Sequence, residues 1–144
     1  MIAYRIDRHS GIPAYVQLVL QTKQALRIGD LVVGDQLPTA KDVVGALAIN
    51  PNTVLKAYRE LERDGLVEPR PGLGTFVIAS LAKPGMAEKT ALTNELDRWV
   101  AHGIAAGLDR SDLEALIASA LDARYHLYQA RLHGQPSHDR SGNR

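Results

Sequence analysis

The sequence contains no cysteine. That excludes a disulfide framework, a thiolate zinc site and a cysteine nucleophile, and it fits a reducing compartment. Aromatic residues are scarce, at 5% with one Trp and one Phe. A core must therefore be built from Leu, Val, Ile and Ala, a composition that leans helical. Long apolar runs are missing too. None approaches the ~20 residues that span a bilayer, and Met1–Asp7 lacks the basic-then-apolar layout of a signal peptide. The expectation is a cytoplasmic protein with no membrane partner. Nor does one sign of charge dominate: 17 Lys+Arg face 16 Asp+Glu, a net charge of +1. Residues 1–80 carry 9 basic and 8 acidic side chains, and residues 81–144 carry 8 of each. Bulk charge thus neither demands nor excludes a nucleic-acid partner, and the placement of the cations has to decide.

At 144 residues the chain suits one medium domain, or a small domain with an appendage. It is too short for a (β/α)8 barrel. No Gly-x-Ser-x-Gly, no Walker-type loop and no grouping of nucleophile, base and stabiliser occurs, so the chain is not expected to be an enzyme. The five histidines, His9, His102, His126, His133 and His138, form no His-x-x-x-His pair. No metal site and no cofactor are expected.

What is present divides by composition. Residues 1–80 mix helical patterns with one turn-rich stretch. Residues 81–89 contain Pro84-Gly85 and read as a linker. Residues 90–134 are strongly helical, and 135–144 read as a polar, frayed tail. A first helix is expected from about Pro13, in its first turn, to Gly29, with Tyr15, Leu18, Val19 and Leu26 as its apolar stripe. Residues 31–38 form a connector. Thr39 can cap a short second helix, with Asp42 at the reciprocal capping position. Val43, Val44 and Leu47 form its buried face, and Ala48-Ile49 make a tight turn. Asn50-Pro51 supplies a capping side chain and then proline at the first helical position. The third helix runs to about Arg63, with Val54, Ala57, Tyr58 and Leu61 on one face. Asn52, Lys56, Arg59 and Arg63 lie on the other, with Thr53 at its edge. Leu66–Arg70 and Thr75–Ile78 read as strands around the turn residues 71–74. Helix, tight turn, helix and hairpin is the winged form of helix-turn-helix.

The third helix has the makings of a recognition helix. Asn52 can make a bidentate contact with adenine, Thr53 can touch a base or a phosphate, and Lys56 can reach guanine or a phosphate. Arg59 and the helix N-terminus at Asn50 suit phosphate. Lys41 opens the helix that crosses the backbone in this motif. Arg70, beside the wing tip at Gly72, is placed to enter a minor groove. The opposing interpretation, a solvated cationic face, has some weight on the helix alone, because Glu60 and Glu62 partly neutralise it. The turn, the capped helix and the wing together favour DNA.

Residues 34–77 resemble the DNA-binding domain of the GntR family of bacterial transcription regulators. The resemblance is carried by Gly34-Asp35, Leu37-Pro38, Val43, Leu47-Ala48, Asn50, Thr53-Val54, Ala57, Leu61, Asp64-Gly65-Leu66-Val67 and Gly72-Leu73-Gly74-Thr75-Phe76-Val77. Ile12–Leu18 resembles the family's first helix in its small YtrA-like branch, and Asn50–Val54 is typical of that branch. One departure is Thr39-Ala40-Lys41 where the family has Ser-Glu-Arg. The cap and the charge survive, but the planar guanidinium fork does not, so a phosphate contact suits Lys41 better than a base contact. Leu55 is apolar where many relatives are polar, and no role attaches to it at this point. The resemblance implies a homodimer on double-stranded operator DNA that controls a neighbouring, transporter-related operon, and repression is expected because a small dimer on a promoter blocks access and the sequence shows no separate activation surface. The alternative is a protein-interaction module on a winged fold that no longer binds DNA.

The C-terminal segment carries Leu92, Leu96, Trp99, Val100, Gly103, Ile104 and Leu108 at heptad-like spacing, with Gly107 ending that helix. Ser111–Glu114 matches a capping box for the next. Leu113, Leu116, Ile117, Ala120, Leu121, Leu127 and Tyr128 continue as a broad stripe. Two such helices cannot bury their faces on each other alone. Leu96, Trp99, Val100, Ile104, Leu113, Ile117 and Leu121 are the expected dimerisation residues, as the family resemblance also implies. An unidentified small-molecule effector, bound between protomers, is left open as a further partner. The expected architecture is mainly α with a small β-hairpin wing: a winged helix-turn-helix domain followed by a two-helix dimerisation segment.

Overall fold

Pro13 cannot donate to a preceding turn, and it sets where α1 (Ala14–Ile28) starts. It occupies the capping position rather than the first turn, and its carbonyl accepts the Gln17 N–H at 3.1 Å. α1 buries Leu18, Val19, Thr22, Ala25 and Leu26. It ends where Gly29 turns left-handed at φ 78°, a conformation that glycine adopts without steric penalty. In the computed structural model, which describes residues 2–134, the chain falls into two compact units divided after Lys89. The expected tail, 135–144, lies outside the described residues.

In the first unit, α2 (Ala40–Leu47) is capped by Thr39, whose hydroxyl accepts the Asp42 N–H at 3.1 Å. The return bond from the Asp42 carboxylate to the Thr39 N–H, suggested by the spacing, is not among the hydrogen bonds of the described residues. Ala48 closes α2 at φ 51°, a left-handed position that a Cβ makes unfavourable. α3 (Pro51–Arg63) follows two residues later, with Asn50 as its cap and Pro51 at its first position, and buries Val54, Ala57, Tyr58 and Leu61. α1 and α2 both pack on α3, as does the first strand.

Strands β1 (Val67–Arg70) and β2 (Gly74–Val77) are antiparallel, with Val67 opposite Val77 and Arg70 opposite Gly74. Arg70-Pro71-Gly72-Leu73 turns between them. The Leu73 N–H donates to the Arg70 carbonyl at 2.9 Å, and Gly72 sits at φ 75°. Proline followed by a positive-φ glycine is the requirement of a type II turn. The connector at 34–37 lies along the other edge of β2: Leu37 N–H donates to Thr75 O at 2.9 Å, and Val77 N–H to Asp35 O at 2.8 Å. β2 is thus the central strand. Pro69, which has no N–H to give, stands in the edge strand, where it is tolerated. Leu18, Leu26, Leu31, Leu37, Val54, Leu61, Val67 and Val77 are fully buried and join the elements into one core.

Residues 2–8 add a segment the sequence patterns did not predict. It lies alongside α1 in extended form without being a strand. Gln21 accepts the Arg5 N–H at 2.9 Å and donates back to the Arg5 carbonyl at 2.6 Å. Gln17 does the same for Asp7, at 2.8 and 2.9 Å. Two side-chain amides one helical turn apart therefore stand in for a neighbouring strand. Just before Arg5, Tyr4 turns inward and its hydroxyl lies 2.8 Å from that of Thr22, while Ile2 and Ile6 pack on the core.

Residues 81–89 are not wholly irregular, since Pro84–Glu88 forms a 3-10 turn. It leads into α4 (Lys89–Ala105). The second unit pairs α4 with α5 (Arg110–His133). Gly107 turns left-handed at φ 86° between them. The capping box differs from the expected one. Asp109 is the cap, accepting from Asp112 N–H at 2.9 Å, and Asp112 accepts from Asp109 N–H at 3.0 Å. Ser111 is inside the helix, two positions after the cap. Both stretches fit the motif, and an ionised carboxylate is the stronger acceptor at a helix N-terminus. α4 and α5 approach closely at Gly103, where a Cβ would meet the Leu113 side chain.

Candidate nucleic-acid interface

The proposed contact residues fall on three elements of the first unit. Lys41 stands in the first turn of α2, exposed. Asn52, Lys56 and Arg59 are exposed on α3, with Thr53 half-buried at its edge. Arg70 and Gly72 are on the wing. A shallow groove brings the wing against the start of α2, with Thr39 on one side and Arg70, Gly72 and Thr75 on the other. Lys41, two residues past Thr39, is therefore close to the wing. The arrangement is held by Gln36, whose side-chain amide donates to Leu73 O at 2.9 Å. Gly74 suits this place because φ 127° is a backbone conformation that residues with a Cβ rarely adopt, and a Cβ there would also displace that same Gln36 amide.

Asn50 has a local task. Its Oδ1 accepts the Asn52 N–H at 2.8 Å and caps α3, which engages one lone pair of that oxygen and leaves the amide nitrogen as the donor for a phosphate. The first turn of α3 carries no acidic residue, so its positive end is left uncompensated and can receive a phosphate. Arg59 and Arg63 pair with no carboxylate among the described residues. Glu60 and Glu62, on the same helix, do not neutralise them by direct pairing.

Two cations have partners that sequence reasoning missed. The Lys56 ammonium sits 3.9 Å from the centroid of the Tyr15 ring, at the start of α1. Helical spacing places Tyr15 in an apolar stripe, yet it holds a candidate DNA contact through the negative face of its ring. Arg70 lies 4.4 Å over the Phe76 ring and its Nε is 3.1 Å from Glu68 Oε1. Its guanidinium is thus oriented along the wing by the residue cross-strand from Glu68. Arg8 is a third missed residue. It donates to Leu47 O at 3.2 Å, satisfying a carbonyl at the C-terminal end of α2.

The angle between α2 and α3 is braced from inside. Tyr58 on α3 donates its hydroxyl to Pro38 O at 2.6 Å, just before the α2 cap. Burial pushes the Tyr58 phenol well above the ordinary range, with the adjoining Tyr4 phenol and the Asp42 carboxylate adding to it. Burial raises Tyr4 as well, opposed in part by its hydrogen bonds to Thr22 and Tyr58. On the outside, Lys23 of α1 pairs with Asp64 at the end of α3, at 2.8 Å.

In the second unit Leu113 is buried, at 8% exposure, and has little surface left to offer a partner. The other expected dimerisation residues are open to differing degrees. Val100 and Ile117 are half-buried. Trp99 is 38% exposed, Leu96 52%, Leu121 51% and Ile104 63%. Among the described residues no group of His, Asp or Glu could hold a metal ion, and no helix is long and apolar enough to cross a membrane.

Residues 14–77 match the family model described as bacterial regulatory proteins, gntR family. The HTH-type transcriptional repressor YtrA of Bacillus subtilis (strain 168) is 35% identical over 115 residues, which cover 78% of this chain and 88% of the relative. The HTH-type transcriptional regulator Rv1152 of Mycobacterium tuberculosis is 40% identical over 108 residues, covering 75% and 85%. Among solved structures, a protein described as a transcriptional antiterminator from Listeria monocytogenes EGD-e is similar with a TM-score of 0.51 and 26% identity, over 83% of this chain and 90% of that one. The chain belongs to the gntR family of bacterial regulatory proteins, and it is a transcriptional regulator rather than an enzyme.

Proposed function

We propose that the protein is a cytoplasmic homodimer that binds a two-fold-related operator in double-stranded DNA and represses a neighbouring operon. The observation that carries this reading is the outer face of α3. A capped helix with its apolar side docked on the core presents Asn52, Lys56 and Arg59 together, with Thr53 at the edge and no acidic residue in its first turn. In this reading Asn52 and Thr53 read base edges and Lys56 reaches a guanine or a phosphate. Lys41, Arg59 and the amide nitrogen of Asn50 hold phosphates, and the wing places Arg70 at a minor groove beside the Gly72 turn. Repression follows from size: two such units on a promoter obstruct access, and the B. subtilis relative is itself described as a repressor. The exposed apolar side chains of α4 and α5, Leu96, Trp99, Ile104 and Leu121, suit burial against a second copy, with Val100 and Ile117 at the edge of that surface.

Selection of bound duplexes from random DNA, run at low and moderate salt, tests the reading. The expected result is an enriched palindrome whose affinity falls with salt at a log–log slope of about −0.9 for each phosphate neutralised. Absence of any enriched sequence at either salt would remove operator binding.

A further inference from the structure

Leu55 is out of place. α3 separates its faces strictly: every other apolar side chain from Val54 to Leu61 is buried, yet Leu55 is 40% exposed. Its position in the helix explains what surrounds it. Residues three and four apart are neighbours on a helix surface, so Leu55 lies between Asn52, one turn before it, and Arg59, one turn after it. Leu55 thus belongs to the polar, DNA-directed face. A protein partner covering Leu55 would also have to bury Asn52 and Arg59, which is unfavourable without matched polar groups. The major groove accommodates all three. Its base edges offer hydrogen-bonding atoms to Asn52, the backbone along its wall offers phosphates to Arg59, and the one apolar group those edges present is the C5-methyl of thymine.

We infer that Leu55 is a sequence-reading residue that packs against the C5-methyl of a thymine in each operator half-site. The contact requires no hydrogen bond from Leu55. It discriminates by apolar burial against cytosine, which lacks the methyl, and by leaving the side chain against polar edges when a purine takes that place. The inference rests on the operator binding proposed above.

The test uses the full chain and its selected operator, with each half-site thymine replaced in turn by uracil. Uracil keeps the hydrogen-bonding edge and removes only the methyl. At one thymine per half-site the replacement is expected to weaken the parent about fourfold, the equivalent of one buried methyl group. Leu55→Ala should bind the thymine operator correspondingly less tightly and give no further response to uracil at that position. Leu55→Gln, carried through a fresh selection, should move the preferred base there from thymine towards adenine, which glutamine can hold with two hydrogen bonds. The inference is overturned if no uracil replacement changes the parent's affinity more than about twofold, if the selected half-site holds no thymine, or if Leu55→Ala keeps the parent's uracil response. Failure of the parent to enrich any sequence removes operator binding itself and this contact with it. An enriched operator indifferent to uracil removes the contact alone.

Discussion

Single residues on α3 owe their positions to residues elsewhere in the sequence. The Lys56 ammonium is held over the Tyr15 ring at 3.9 Å, and such a contact is worth about 0.5–1 kcal/mol at an exposed site. With Lys56 as a DNA contact, replacing Tyr15 by leucine should lower operator affinity by about two- to fivefold while leaving the preferred sequence unchanged. Tyr15→Phe, which keeps a ring face, should bind like the parent. Fluorescence anisotropy on a labelled operator duplex reads both, and equal affinity for all three proteins would mean that Lys56 gains nothing from its ring partner. The identity of Lys56 as a candidate was legible in the sequence, because helical spacing placed it beside Asn52 and Arg59. Its partner was not, because Tyr15 fits an apolar stripe equally well and only the packing of α1 on α3 brings the two together. Arg8 on the Leu47 carbonyl was hidden for the same reason.

At the level of elements, the locally determined features were legible. Thr39, Asn50-Pro51, Gly29 and Pro71-Gly72 set the ends of α1, α2, α3 and the wing through geometry contained within a few residues, and the structure places each as a cap or turn. The start of α5 shows where local rules divide, since Asp109 and Ser111 both satisfy the capping pattern and the carboxylate prevails. The angle between α2 and α3 depends instead on the buried Tyr58 hydroxyl at Pro38 O. Tyr58→Phe should therefore cost about 1–2 kcal/mol, since a buried carbonyl loses its donor, and chemical denaturation at neutral pH would report it. The same phenols set a pH response. Both Tyr4 and Tyr58 hold their protons more tightly in the folded chain than at the ordinary value of 10.0. The unfolded chain loses those protons first as pH rises past 10. The stabilisation is therefore complete below that pH and declines above it, at up to about 1.4 kcal/mol per pH unit for each phenol. Tyr58→Phe should show a shallower alkaline decline than the parent; parallel curves would mean that Tyr58 ionises as freely folded as unfolded.

Over the whole molecule the two units carry different burdens. The first encloses a core of its own, whereas the second, among the described residues, leaves most of its large apolar side chains exposed and buries only Leu113 among them. On the proposed dimer, Trp99→Ala should shift the mass measured by light scattering at micromolar concentration from dimer towards monomer, because a buried Trp is a frequent anchor of an interface. An unchanged mass would place Trp99 away from the contact between copies. The sequence revealed that two amphipathic helices were present, but it could not distinguish Leu113, used within the pair, from Leu96 or Ile104, which are left over. That distinction depends on the approach of α4 to α5 at Gly103.

The segment laid along α1 by Gln17 and Gln21 changes what counts as a transferable module. The family match starts at Ala14, and a chimaera cut there would look complete by homology. It would nevertheless lack Tyr4, which closes the core over Thr22 and adjoins Tyr58, and Arg8, which steadies the end of α2. The cassette that keeps α2 and α3 rigid when grafted onto another C-terminal unit runs from Ile2 through the wing, so the cut belongs upstream of α1 rather than at its first turn.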